Sequence, residues 1–298
     1  MLSPPWATVW ALAGLTMASC ASPGPRATSA LEGQVRRGLY VAGTDDRLAA
    51  DGGASILRTA GVLGAEEVAL YGLGPLLASE AGRRTVRSFV ARARRVGLRV
   101  AAPIAGLDRV RALAAYAAEA PEHAFDTWIT ELEYWHDCRA TQGERPCFAS
   151  MAALLEAMAE AVRARPVRPV LAAYVGYPTP EEAEAIAARV DRLLLSYDGA
   201  SPREAWTARH GRHGSQRERL LSVLDLGLEL WPILYVRGER PMAGWLRAHT
   251  VEEAEAYFSA GARRLDASFA GFQYFDAAGV EDLLAPDREA SPAGSGRE

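Results

Sequence analysis

The chain has 298 residues, enough for one large domain or two small ones, and 49% of them are hydrophobic, enough to fill a core. Its formal net charge is −4 and its sequence pI about 5.8, so no basic field is present to hold nucleic acid. Local clusters of Arg fall on expected helices and read as solvated faces.

Trp6 to Ala18 is an apolar run too short for a comfortable membrane span. It leads into Leu15-Thr16-Met17-Ala18-Ser19-Cys20 and then the flexible Ala21-Ser22-Pro23-Gly24-Pro25. This resembles a bacterial lipoprotein signal, in which small residues precede a Cys that receives lipid and becomes the new N-terminus. The departures are the lack of Lys or Arg before the apolar run and Met17 where Leu is usual. The resemblance implies lipidation at Cys20, export and an anchor in the cell envelope. An ordinary secretory signal and a cytoplasmic chain are the alternatives. Residues 21–34 read as a tether and residues 35–285 as one domain. The Pro-, Gly- and Ser-rich end, residues 286–298, reads as disordered.

From residue 35 onward a short apolar strand, a polar turn and an amphipathic helix alternate. Strands are expected at Gly38–Ala42, Glu67–Tyr71, Arg99–Ile104, Thr127–Leu132, Val170–Val175, Arg192–Tyr197, Leu230–Val236 and Gly271–Phe275. Between them the spacing predicts helices over Gly82–Val96, Leu107–Glu119, Met151–Ala164, Pro180–Arg189, Arg217–Leu226 and Val251–Ala260. Thr179-Pro180-Glu181-Glu182 and Thr250-Val251-Glu252-Glu253 carry helix-start chemistry, while Gly97 and Gly261 sit where helices should stop. Eight such units point to a (β/α)8 barrel, a TIM barrel of the α/β class. A doubly wound open sheet is the competing architecture. It would usually carry a glycine-rich phosphate turn, and Gly52-Gly53 lacks that fingerprint. No nucleotide or other cofactor is expected.

The fourth strand ends in Glu131-Leu132-Glu133. Residues two apart on a strand share a face, so the two acids are expected to stack above Ile129. Carboxylates held together raise one pKa and leave a neutral acid near neutral pH. In a barrel the strand C-termini form the active face. Tyr134, Tyr174, Tyr177, Tyr197, Asp198, Tyr235, Arg237, Glu239, Tyr274 and Asp276 all fall at such ends. Aromatic rings stack on sugars and carboxylates do acid–base work on glycosidic bonds. Cys138 and Cys147 bracket a polar segment just after the acidic strand. In an oxidising compartment such a pair closes a small loop as a disulfide, and a metal site is the alternative.

Asp126-Thr127-Trp128-Ile129-Thr130-Glu131-Leu132-Glu133 resembles the D-x-x-D-x-D-x-E pattern on strand four of family 18 glycoside hydrolases, the chitinases and endo-β-N-acetylglucosaminidases. Asp126 and Glu133 match, Glu131 stands for the last Asp, and Ile129 replaces the middle one. Leu195-Ser196-Tyr197-Asp198 resembles that family's M-x-Y-D on strand six. Gly271-Phe272-Gln273-Tyr274-Phe275 resembles G-x-M-x-W on strand eight, with Phe275 for Trp. The S-x-G-G of strand three is absent, and Ala102-Pro103-Ile104-Ala105 stands there. The resemblance implies hydrolysis of an N-acetylhexosamine-containing glycan. Glu133 would be the general acid and the substrate's own acetamide the nucleophile. Glu131 would orient that acetamide, Tyr197 would bond its oxygen, and Asp198 would fix the sugar. Phe275 would form the floor, and Asp126, Tyr235 and Tyr274 would contact substrate. The expected state is a monomer.

Two other readings come from the residues. A glycan-binding barrel without turnover would use the same mouth. A metal-dependent phosphodiesterase could use Glu131, Glu133, His136 and Asp137, but the strand-one exit Gly43-Thr44-Asp45-Asp46 lacks the His pair that class needs. Metal ligation is therefore not expected. Asp45 and Asp46 are candidates either for substrate contact or for helix capping. His210-Gly211-Arg212-His213 reads as a solvated loop or as a clamp for an acidic glycan.

Overall fold

A computed structural model describes residues 35–137, 144–163, 165–176, 178–197, 201–207, 215–238 and 241–284. They belong to the compact unit Val35–Glu298. Its eight strands are β1 (Arg36–Val41), β2 (Glu67–Leu70), β3 (Arg99–Ile104), β4 (Thr127–Thr130), β5 (Val170–Val175), β6 (Arg192–Tyr197), β7 (Glu229–Tyr235) and β8 (Gly271–Phe275). They pair in parallel in sequence order and close into a barrel. The closing seam sets Arg36 opposite Gly271 and Leu39 opposite Tyr274. With helices between the strands this is a (β/α)8 barrel.

Alternation along each strand sorts side chains between the lumen and the helix layer. The first residues of several strands form the lumen floor. Arg192 Nη1 donates to Glu67 Oε1 at 2.8 Å and Nε to Glu229 Oε2 at 3.2 Å. Arg36 joins Glu229 at 2.9 Å, and Thr127 Oγ1 donates to Glu67 Oε2 at 2.7 Å. The Arg192 guanidinium lies 4.2 Å from the Trp231 ring centroid. Burial by itself would push the Glu67 carboxyl up, but Arg192, Arg99 and Thr127 hold it below the usual carboxylate range. On the outer side, Thr130 Oγ1 reaches Met151 Sδ at 3.3 Å on the helix Glu144–Arg163. Phe272 packs on Phe258 of the helix Val251–Arg263.

The expected helix starts at Thr179 and Thr250 form complete capping boxes, and Ser215 forms another. Most expected ends agree to within two residues, and three differences go beyond that or change a residue's role. The helix predicted over Met151–Ala164 begins at Glu144, because the polar start still carries helical spacing. The stretch Arg217–Leu226 divides into the helix Gln216–Leu221 and a single tight turn at Leu224–Leu226. Gly261 does not end its helix, which runs on to Arg263. A Cβ there would come within 2.7 Å of the Trp206 ring, so this glycine serves close packing rather than a stop. Among the described residues no helix is long and apolar enough to cross a membrane.

Candidate functional site

β4 stops at Thr130, and the Glu131 backbone N–H still bonds the β3 carbonyl of Ile104 at 2.7 Å. That last bond seats Glu131 at the C-terminal mouth, partly buried. The chain then leaves the sheet and enters the short helix Tyr134–Asp137. Glu133 therefore sits beyond the strand and is exposed, rather than stacked in register over Ile129. The two carboxylates still lie close enough for the charge of Glu133 to push the Glu131 pKa up. Burial is the larger cause. Together they outweigh the Tyr40 hydroxyl, which donates to Glu131 Oε1, and raise the Glu131 carboxyl to about 8. At neutral pH Glu131 is a neutral acid, with Oε1 engaged as acceptor and Oε2 left to carry the proton.

A layer of aromatic side chains faces the acids from the other strands. Tyr174 on β5 and Tyr235 on β7 share a hydrogen bond of 2.9 Å, and Ser196 on β6 reaches Tyr235 at 3.3 Å. Burial raises the pKa of both tyrosines, and Glu133 adds to the rise in each. Phe275 at the end of β8 packs between Tyr40 and Tyr235, 5.6 Å from each ring centroid. Trp135 stands edge-on to Tyr174 at 5.2 Å. It fits because Gly176 has no side chain, since a Cβ there would come within 2.5 Å of the indole. Glu131, Glu133, Tyr235 and Phe275 thus gather at one mouth.

Two residues expected to contact substrate lie elsewhere. Asp126 precedes β4, at the opposite end of the barrel. Its carboxylate accepts from the Val100 N–H at 2.9 Å and from Arg94 at 2.8 Å, so it ties β3 to β4. Tyr274 alternates with the lumen-facing Phe275 and points into the helix layer, fully buried, where its hydroxyl donates to Glu255 at 2.5 Å. Asp45 and Asp46 are exposed in the first turn of the helix Thr44–Asp51. Asp276 bonds Arg237 at 3.0 Å and the Gly279 N–H at 3.2 Å, which starts the last helix. Tyr197 ends β6, but its side chain lies outside the described residues, as do Asp198, Cys20, Cys138 and residues 210–213. Cys147 is buried on the helix Glu144–Arg163. Among the described residues no group of three or more His, Cys, Asp or Glu is placed to hold a metal ion.

Sequence reasoning missed Tyr40. Its signal was the two-residue alternation of β1, which turns Tyr40 inward one position before the strand ends, whereas attention to the exit loop favoured Asp45 and Asp46. Also missed was a cavity of about 190 Å³ beside Glu131, lined by Tyr71, Gly74, Pro103 and Arg109 among others. Its wall joins the β2 and β3 exits, which are distant in sequence.

The closed barrel and the paired carboxylates at its mouth define the class of protein, a (β/α)8 barrel with an acidic C-terminal face. No family model and no curated protein sequence matches the chain. Among solved structures it is similar to a monomeric beta-xylosidase from Caulobacter crescentus CB15, with TM-score 0.54 and 12% identity over 81% of this chain and 60% of that one. It is similar to the GH39 enzyme from Xanthomonas axonopodis pv. citri, with TM-score 0.53 and 9% identity over 81% of this chain and 58% of that one. A chitinase from Bacteroides thetaiotaomicron aligns with TM-score 0.46 and 12% identity over 83% of this chain and 91% of that one. At such identities the likeness to the first two establishes the fold alone.

Proposed function

We propose that the protein is a glycoside hydrolase acting on N-acetylhexosamine-containing glycans. The observation that carries this reading is the neutral carboxyl of Glu131 at the barrel mouth, clamped by Tyr40 and bordering a cavity, with Glu133 beside it. In this mechanism the proton held by Glu131 passes to Glu133, which gives it to the glycosidic oxygen as the bond to the anomeric carbon breaks. The carbonyl oxygen of the neighbouring acetamide closes on that carbon from the other side, so no enzyme nucleophile is needed. Glu131, left ionised by that transfer, accepts from the acetamide N–H and orients the group. Tyr197 bonds the acetyl oxygen, Asp198 holds the sugar, and Phe275 supports its face. Water then opens the cyclic intermediate and returns a proton to Glu133.

A digest of chitooligosaccharides with wild type and Glu133→Gln tests this. Wild type is expected to release shorter sugars, and the variant to lose activity by about 100-fold or more, in keeping with removal of a general acid. Equal product from both removes Glu133 from the mechanism. Binding with no product at all from wild type makes the protein a glycan-binding barrel.

We further propose export with a lipid anchor on Cys20, so that the barrel works as a monomer at the cell envelope. Partition of the native chain into detergent, lost in Cys20→Ser, is the expected result. A Cys138–Cys147 disulfide belongs to the same proposal. It is supported by Cys147 being disulfide-bonded, and a short loop of this kind contributes about 2–3 kcal/mol.

A further inference from the structure

The cavity beside Glu131 is built from groups that the cleavage step does not use. Arg109 lies in the first turn of the helix Leu107–Glu119 and lines the cavity, its side chain 48% exposed. The guanidinium lies directly over Gly74, where a methyl group would overlap it. Among the described residues its one ion contact is a loose 3.7 Å approach to Asp108, whose carboxylate is 77% exposed. No side-chain hydrogen bond holds the fork among those residues. Tyr71, just past β2, lines the same cavity and is 46% exposed. A half-open arginine, an exposed tyrosine and a space on the scale of one sugar ring are therefore assembled next to the proposed cleavage point.

An arginine fork matches a carboxylate in two parallel hydrogen bonds, which a neutral hydroxymethyl group cannot reproduce. We propose that this cavity is a subsite for a hexuronic acid residue of the substrate, its carboxylate held by Arg109 and its ring stacked on Tyr71. The inference rests on the glycan reading above and narrows it to acidic glycans. Two carboxyl groups of the protein bear on this site, Asp108 beside Arg109 and Glu131 in the cavity lining. Asp108 is largely solvated, so its repulsion is screened. Glu131 keeps its proton at neutral pH and offers a donor there instead of a charge. The positive end of the Leu107–Glu119 helix adds to the attraction.

The test is calorimetric titration at neutral pH in the Glu133→Gln background, so that turnover does not consume the ligand. The probes are a tetrasaccharide of alternating N-acetylglucosamine and glucuronic acid and the same tetrasaccharide with its carboxyl groups reduced to alcohols. The acidic form is expected to bind about tenfold more tightly, or about 1.4 kcal/mol, with a preference that shrinks as salt rises. Adding Arg109→Gln should abolish the preference. Adding Tyr71→Ala should weaken both forms alike. Equal binding of the two probes, no binding of either, or a preference that survives Arg109→Gln overturns the subsite. Thermal melting checks that each variant is folded. A clear preference with no hydrolysis by wild type of either the acidic tetrasaccharide or chitooligosaccharides would remove the hydrolase reading and leave the subsite standing.

Discussion

Glu131 shows how one side chain acquires its chemistry from neighbours far away in sequence. Burial and Glu133 raise its pKa, and the Tyr40 hydroxyl, by bonding the ionised form better, opposes them. The same balance sets a pH dependence of stability. In the unfolded chain a Glu ionises near pH ~4.3, whereas the folded carboxyl holds its proton to about 8. Over that window the folded state binds the extra proton, so this residue makes stability fall as pH rises, and its contribution levels off above the folded pKa. Replacing Glu131 with Gln removes the term. The melting temperature of Glu131→Gln relative to wild type is expected to climb from pH 5 to pH 8 and then flatten, and Tyr40→Phe in a Glu131 background should carry the plateau to higher pH. A difference constant across the series contradicts the assigned protonation.

At the level of elements, the barrel is tied together by acids placed just before strands. Asp126 accepts the Val100 N–H of β3, and Asp191, just before β6, accepts the Leu171 N–H of β5 at 3.0 Å. Each carboxylate satisfies a backbone donor in the neighbouring strand and draws a surface arginine, Arg94 or Arg168, over the join. Asp126 is thus a fastening at the N-terminal end. Asp126→Ala should cost about 1–3 kcal/mol in denaturant unfolding, the cost of stranding a partly buried donor, while leaving the KM for sugar unchanged. A raised KM with unchanged stability would return Asp126 to the substrate site.

For the whole molecule, the two ends of one lumen do different work. The floor is a closed charge network in which Glu67 and the Arg192 side chain are completely buried, and Trp231 covers the cation. Such a plug adds little net stability over an apolar filling, but removing Glu67 leaves the buried Arg192 with only the partly exposed Glu229 as its counter-charge. Glu67→Ala is therefore expected to lose about 3–5 kcal/mol in urea unfolding, far more than an exposed ion-pair change such as Glu80→Ala. A loss below ~1 kcal/mol, the worth of a surface pair, would mean that Glu229 alone suffices to hold Arg192. With the floor sealed, the open mouth is left as the place where a ligand can meet lumen-facing groups.

Strand number, order and most boundaries were legible in the residues, because apolar runs of strand length between capped helices repeat eight times. The acids that follow β4 were legible for the same reason, since two acids directly after an apolar strand announce themselves locally. What lay beyond local pattern was which way each end residue turned. Tyr274 and Phe275 are adjacent, yet one seals against Glu255 and the other lies between Tyr40 and Tyr235. The phase of the two-residue alternation against the barrel axis is set by closure between β1 and β8, which no single segment contains. The hydroxyl from β1 that meets Glu131 just after β4, and the arginine that shares a cavity with Tyr71, are likewise meetings of segments far apart in the chain. Patterning along the chain made the barrel, and only the ring of eight strands decided which side chains face one another across its mouth.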